Sequence, residues 1–401
     1  MIIIYVIPDI GYYHHARINA LCSLDNKTLH MGVLELFSNS GFKEFQFCGS
    51  DDRTYEFKHL GLGKLISLSE RKKGQSLLNN ALDEFHPNVV CIAGWSEWYA
   101  LATLSWCNQH RIPSIVMSDS TAHDEVRKGW KEAIKRRVIS LYSAGLVGGK
   151  PHVDYLSALG MPRERIFTSY DVVDNLHFSV GADEARRNAD HERTRLTLPP
   201  HFFLASNRFI EKKNLPRLLD AYARYRNQAG ESAWKLVLLG DGPLKPQLQA
   251  LIQQHNLSSW VLMPGFKQYD ELPAYYGLAG AFIQASTTEQ WGLVVNEAMA
   301  AGLPVLVSNR CGCAPDLVEE GRNGYTFDPY DVDALAGLMR KIAADDCDRE
   351  VMGQASREII ARWTPQTFAE NLCKAAEAAM NAPRPKANLL DKALLWALMR
   401  R

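Results

Sequence analysis

The sequence predicts an α/β protein built on two parallel sheets. Short apolar runs alternate with helical patterns along the chain, which is the mark of βαβ units. With 401 residues the chain is too long for one hydrophobic core, so two domains are expected. A polar, charged stretch at 181–200, GADEARRNADHERTR closing on Pro199 and Pro200, separates the two sets of runs.

In the first half the clearest strands are 2–6, 89–93, 115–117 and 146–147. The opening run, Ile-Ile-Ile-Tyr-Val, is short and lacks the basic lead of a secretory signal, so it reads as a buried strand. In the second half they are 202–205, 236–239, 261–263, 281–283 and 305–307. The expected domains are therefore 1–197 and 198–380, with 381–401 as a tail that opens on the Pro383 to Lys386 junction.

Composition excludes several function classes. Formal net charge is +0, so no global field draws the chain to nucleic acid. Hydrophobic residues make up 46% and charged residues 22%, ordinary for a globular protein, and no apolar run is long enough to span a bilayer. The eight cysteines are scattered without a C-x-x-C pair, and Cys311 and Cys313 have no nearby metal-ligand partners. Reduced thiols in a cytoplasmic protein without a bound metal are expected.

The stretch 285–307, ASTTEQWGLVVNEAMAAGLPVLV, concentrates the chemistry. A helix starting near Gly292 leaves Glu289 in the loop before it and Glu297 on an early turn. The backbone amides of Leu293 and Val294 then face the same place, which favours an anion. Gly302 suits the left-handed position past the helix end, and Pro304 cannot continue it. Two accepting carboxylates beside an anion hole suit a sugar joined to a phosphate. The plainer alternative is a capping Glu289 and a solvated Glu297. It is disfavoured because apolar strands flank the helix, which puts its start at the carboxyl edge of a sheet, where ligands of open α/β sheets bind. Arg208, just after the strand at 202–205, and Lys213 supply cations at the same kind of edge. Lys212 reads as solvated surface.

These residues carry a resemblance. The run E-Q-W-G-L-V-V-N-E-A-M-A-A-G-L-P-V at 289–305 resembles the E-x-F-G-x-x-x-x-E-A-M-A-x-G-x-P-V hallmark of the family 4 retaining glycosyltransferases, with Trp291 in place of Phe. Arg208, Lys213 and Asn214 match the family's G-R-x-x-x-E-K-N/G segment, with Asn207 replacing its Gly. Gly240 to Pro243, Pro264 to Phe266 with Glu271 and Leu272, and Gly321 to Gly324 match further motifs in order.

The resemblance implies the GT-B architecture: two Rossmann-like domains with an interdomain cleft, and a C-terminal helix crossing back to the first. It also implies retaining transfer of a hexose from a nucleotide-diphosphate sugar to a glycan or lipid-linked acceptor. The setting would be polysaccharide, lipopolysaccharide or glycolipid assembly, with no metal or other cofactor. On this mapping Glu289 bonds donor-sugar hydroxyls, Glu297 the ribose hydroxyls, and Gly292, Leu293 and Val294 hold the diphosphate. Phe266 and Lys267 pass along the base, while Arg208 and Lys213 meet the leaving group. A non-catalytic nucleotide-sugar-binding protein and a GT-B phosphorylase are the alternative classes.

The first half is expected to hold the acceptor through Gly11, Tyr13, His14, Trp95 and His123. Asp119 stands where the family has a His and is expected to orient the acceptor rather than act as a base. The alternative for the aromatic residues is simple packing. The basic segment 126–138, with Trp130, Ile134 and Val138 interleaved, and the end of the chain from Trp396 offer contact with an anionic membrane surface. A merely solvated helix is the plain alternative.

Overall fold

The computed structural model describes residues 1–24, 29–37, 56–62 and 67–401. They form two compact units, Met1–Val172 with Pro365–Arg401, and Val173–Thr364.

The first unit carries a seven-stranded parallel sheet: β1 (Ile2–Ile7), β2 (His30–Phe37), β3 (Glu56–Leu62), β4 (Val89–Ala93), β5 (Ser114–Ser118), β6 (Ala144–Val147) and β7 (Ile166–Phe167). Their order is β3-β2-β1-β4-β5-β6-β7. β4, β5 and β6 are buried at every position. That is why they read as unbroken apolar runs, since helices cover both faces of such a sheet. Helix Pro365–Asn381 packs on helix Tyr12–Cys22 and on the β6 side through Phe368, Ala369, Leu372, Ala375, Ala376 and Ala379. This spacing forms one helical stripe.

The second unit carries a six-stranded sheet: β8 (Phe202–Ser206), β9 (Lys235–Leu239), β10 (Val261–Gly265), β11 (Ala281–Gln284), β12 (Val305–Ser308) and β13 (Gly324–Phe327). The order is β10-β9-β8-β11-β12-β13. From β8 the chain builds outward through β9 and β10, then returns so that β11 pairs with the other side of β8, Ala281 against Phe203. The connections leaving β8 and β11 therefore run to opposite sides, and their carboxyl edge is the switch point at which open α/β sheets bind ligands.

Two domain boundaries differ from the sequence expectation. The charged stretch 181–200 is not a linker, because it lies in helices Asn175–Arg187 and Ala189–Leu196. Phe178 of the first is fully buried, edge-on to Tyr276 at 5.7 Å and to Tyr269 at 5.5 Å, so the helix belongs to the second unit from Val173 on. Its charge reflects a solvated outer face. At the other end the chain rejoins the first unit at Pro365, ahead of the expected 381, because Pro365–Asn381 buries its apolar stripe there.

The basic segment 126–138 forms helix Gly129–Ile139, but much of its charge turns inward. Lys135 is buried and lies 2.9 Å from Glu125 and 3.0 Å from Glu132, with its Nζ 5.5 Å above the Trp95 ring. Arg127 faces both of these carboxylates, Lys131 faces Glu125, and Arg137 pairs with Asp391. The open cationic face expected of this helix is thus largely neutralised. Among the described residues no helix is long and apolar enough to cross a membrane.

Candidate active site

At the carboxyl edge between β8 and β11 two of the second unit's predicted residues, Lys213 and Glu289, come into contact. After β8 the chain makes a 3₁₀ turn, Glu211–Lys213, and Asn214 enters the left-handed region at φ 58° to start helix Leu215–Ala229. The Asn214 amide donates to Ala285 O at 3.0 Å and to Pro329 O at 2.8 Å, which clamps this turn onto the loop after β11. Thr287 N donates to Lys212 O at 2.9 Å and completes the clamp.

That clamp sets Lys213 against Glu289, and the two form an ion pair with each side chain about 12% exposed. Glu289 Oε2 also accepts from Gln284 Nε2 and Ser286 Oγ, each at 3.2 Å, while Lys212 stands 3.9 Å away and is 38% exposed. Gln284 and Ser286 are fully buried, so Glu289 is held from below by the end of its own strand. Two amide oxygens at this edge, Asn207 Oδ1 and Gln284 Oε1, are buried with no hydrogen-bond partner among the described residues.

Gly292 lies at φ 109° and caps helix Leu293–Ala300. A Cβ there would stand 3.4 Å from Glu289 Cγ and 3.5 Å from Cys313 Sγ, in a backbone conformation that side chains resist. The helix therefore begins where the sequence places it, with the Leu293 and Val294 amides in its first turn and lacking helical acceptors. Glu297 is 1% exposed and accepts from the Tyr276 hydroxyl at 2.6 Å. Trp291, in place of the family's Phe, is also buried, and its indole donates to Asn296 Oδ1 at 2.9 Å.

Arg208 lies exposed on the loop after β8, and Lys267 and the half-buried Phe266 follow β10 two strands away. Lys267 sits 3.5 Å from Glu271 and over the Tyr275 ring. The β8 and β9 loops are pressed together, Phe209 N donating to Asp241 O at 2.8 Å. A Cβ on Gly240 would lie 1.8 Å from Asn207 O, so only glycine fits that approach.

In the first unit the predicted residues gather less well. Gly11 caps helix Tyr12–Cys22 after β1, with the half-buried Tyr13 in its first turn, and Trp95 follows β4, so these loops flank that sheet's own switch point. Burial, aided by Arg17, pushes the His14 imidazole down to about 3, and its Nδ1 accepts from Gly11 N at 3.4 Å. His14 is therefore a neutral acceptor. Trp95 packs against the first core beneath Lys135. Asp119 follows β5 as expected, but His123 lies exposed in the next turn.

The sequence reading missed Asp171. Burial first, then the Asp119 charge, raises its carboxyl to about 7 against the opposing pull of Arg17, 3.9 Å away. Tyr276, Gln284 and Ser286 were missed as well. A polar residue closing an apolar strand, as Gln284 does, was the available signal.

Known proteins resemble the chain in sequence and in fold. Residues 186–359 match the model of a family described as Glycosyl transferases group 1. Sulfoquinovosyl transferase SQD2 of Arabidopsis thaliana is 37% identical over 127 residues, 31% of this chain and 24% of that protein. A GDP-mannose-dependent alpha-(1-6)-phosphatidylinositol monomannoside mannosyltransferase of Mycobacterium tuberculosis is 32% identical over 198 residues, 47% of this chain and 50% of that protein. The chain thus spans half or less of the length of these curated relatives. A solved sucrose-phosphate synthase from Thermosynechococcus elongatus superposes at TM-score 0.73 with 18% identity, over 93% of this chain and 97% of the other. That likeness establishes the two-sheet GT-B fold. Residues 186–359, nearly the whole of the second unit, thus match the glycosyl transferases group 1 family in sequence.

Proposed function

We propose that the chain is a retaining glycosyltransferase that moves a hexose from a nucleotide-diphosphate sugar to a glycan or lipid-linked acceptor. It would act in glycolipid, lipopolysaccharide or other cell-surface polysaccharide assembly, on the cytoplasmic side and without a metal or other cofactor. The observation that carries this reading is the Lys213–Glu289 pair beside the switch point of the second sheet, close to the helix that Gly292 opens. The family match over residues 186–359 supports it, as does the relative named as a mannosyltransferase of phosphatidylinositol monomannoside.

In this reading the donor splits the pair. Its diphosphate takes Lys213, Arg208 and the Leu293 and Val294 amides, while its sugar hydroxyls take Glu289. Both groups exchange one partner for another, so neither is left buried and unsatisfied. Glu297 and Tyr276 receive the ribose, and the loop of Phe266 and Lys267 passes the base. As the glycosidic bond breaks, charge grows on the leaving diphosphate, and fixed cations stabilise that state more than the ground state. Arg208 and Lys213 would do at this position what a divalent ion does elsewhere. The acceptor hydroxyl attacks from the face the diphosphate leaves, and its proton passes to a phosphate oxygen. The first unit then needs only to orient the acceptor, through Asp119, Tyr13, His14 and Trp95 near the loop of Gly11, with the exposed His123 at the edge.

The test is incubation with uridine, guanosine and adenosine diphosphate sugars in the presence of a chelator, read by thermal shift and by NMR of the product's anomeric proton. The expected result is one donor that raises the melting temperature and is transferred with its anomeric configuration kept. An inverted product, or activity abolished by the chelator, would overturn the mechanism. Turnover with inorganic phosphate alone would point to a phosphorylase, and donor binding without any turnover to a binding protein.

A further inference from the structure

A cavity of about 750 Å³ in the first unit is lined by Arg71, Lys72 and Arg111 from one side and by Arg384, Lys386, Lys392 and Arg400 from the end of the chain. Among the described residues no carboxylate lines it, although acidic and basic residues are equal in number, 45 each, over the whole chain. Among the described residues none of these seven cations has a carboxylate within ion-pair distance, in contrast to Arg127, Lys131, Lys135 and Arg137 nearby. Arg71 instead donates to Met399 O at 3.2 Å, and its buried Nε has no partner among the described residues. Concentrated positive charge left unpaired is repulsive, and an anionic partner relieves that repulsion.

The wall formed by the chain's end supplies the second observation. Helix Leu389–Met399 is held down by Asp391 and Leu395, one turn apart and both buried. Its opposite face shows Leu389 at 83%, Leu390 at 77% and Trp396 at 56% exposure. Trp396 also lines the cavity, and Arg400 lies 3.6 Å over its ring. Apolar side chains with an amphipathic Trp beside free cations describe a helix that lies in a membrane interface.

We infer that this helix and the cavity beside it dock on an anionic phospholipid bilayer, the cations taking phosphate headgroups and Leu389, Leu390 and Trp396 entering the acyl boundary. The surface lies outside the donor residues and stands independently of the proposed transfer reaction.

Flotation of the full chain tests it, using phosphatidylglycerol–phosphatidylcholine vesicles, phosphatidylcholine vesicles, and the anionic vesicles with added inorganic phosphate. The chain should float with the anionic vesicles and not with the neutral ones, and phosphate should act no more strongly than chloride of equal ionic strength. The variant K386E/K392E/R400E should partition at least about tenfold less, as expected for removing cations from a charged surface. The variant L389S/L390S/W396S should also partition less while keeping the native melting temperature. Absence of flotation by the native chain would overturn the inference, as would flotation of both variants like the native chain. Displacement by phosphate well beyond the ionic-strength control would overturn it too, by assigning the cavity to a soluble anion.

Discussion

Replacing Lys213 with Ala separates the two roles that one cation can play at Glu289. In the resting protein Lys213 neutralises a carboxylate that is only about 12% exposed, and its removal leaves Glu289 with Gln284 and Ser286, both at 3.2 Å. A hydrogen bond to a charged group contributes about 1.5–3 kcal/mol, so the variant should lose stability of that order. If Lys213 also meets the leaving diphosphate, a similar amount is lost again in the transition state, and kcat should fall about 10- to 150-fold. Lys212 is the internal control. It reaches the same carboxylate at 3.9 Å but is 38% exposed, and such pairs are worth about 0–1 kcal/mol. Lys212→Ala should therefore change kcat less than about fivefold. The assay is steady-state transfer or slow donor hydrolysis, with the melting temperature of each variant measured alongside. Equal losses of kcat in the two variants would refute the assignment. So would a Lys213→Ala protein that melts lower but keeps kcat within about twofold, because its cation would then be structural only.

Three further outcomes follow from the geometry. Gly292→Ala forces a side chain into φ 109° against Glu289, and should cost about 1–3 kcal/mol in chemical unfolding while raising the donor KM. Tyr276→Phe removes the 2.6 Å hydroxyl donor to the buried Glu297, and calorimetric titration with the preferred donor should show affinity lowered by about 1–3 kcal/mol. Asp171 binds its proton more tightly in the fold, at about 7 against an ordinary 3.8, so rising pH should destabilise the protein between those values. His14 binds its proton less tightly, at about 3 against 6.5, so rising pH should stabilise it over nearly the same span. Asp171→Asn removes only the first effect: urea unfolding should find the variant more stable than the native chain at neutral pH, with stability now rising from about pH 4 to 6.5.

The second unit was more legible in the sequence than the first, for physical reasons. Its donor-type residues sit on short loops whose geometry is enforced by glycine and by clamps, so their spacing along the chain is nearly their spacing in space. Glu289, Gly292 and Glu297 fall within nine residues, and the αL turn at Gly292 fixes how they are disposed. Lys213 is distant in sequence, yet it is locked there by one Asn reaching two carbonyls. In the first unit the polar groups come together only through the sheet. Asp171 lies far along the chain from Arg17, and no local pattern announces that they meet. β2 and β3 escaped notice for a related reason. β2 reads HMGVLELF, broken by Gly32, where a Cβ would come 2.5 Å from Ile4 Cδ1, and by Glu35, which turns to bond Ile10 N at 2.8 Å and His59 at 2.9 Å.

The domain boundary shows the same principle from the opposite side. Composition marked 181–200 as a linker because charge was counted without its period. On helix Asn175–Arg187 the buried positions are Phe178, Ala182 and Ala185, at spacings of four and three, while the charges Asp183, Glu184, Arg186 and Arg187 fall off that stripe. Small residues made that stripe faint, since two alanines contribute little hydrophobic signal. They are there because the partner helix Leu272–Leu278 comes very close: a Cβ on Gly277 would lie 2.5 Å from Ala182 O, and one on Gly181 would lie 2.6 Å from Pro273 Cβ. Close helix packing selects small side chains, and small side chains erase the apolar pattern from which a helix is recognised. Enlarging Ala182 to Leu would restore that pattern in the sequence while driving the two helices apart. By the usual magnitude of overpacking it should cost about 1–3 kcal/mol, measurable as a lower unfolding midpoint. A variant as stable as the native chain would mean that the apposition of these helices is loose, and that the boundary at Val173 has some other cause.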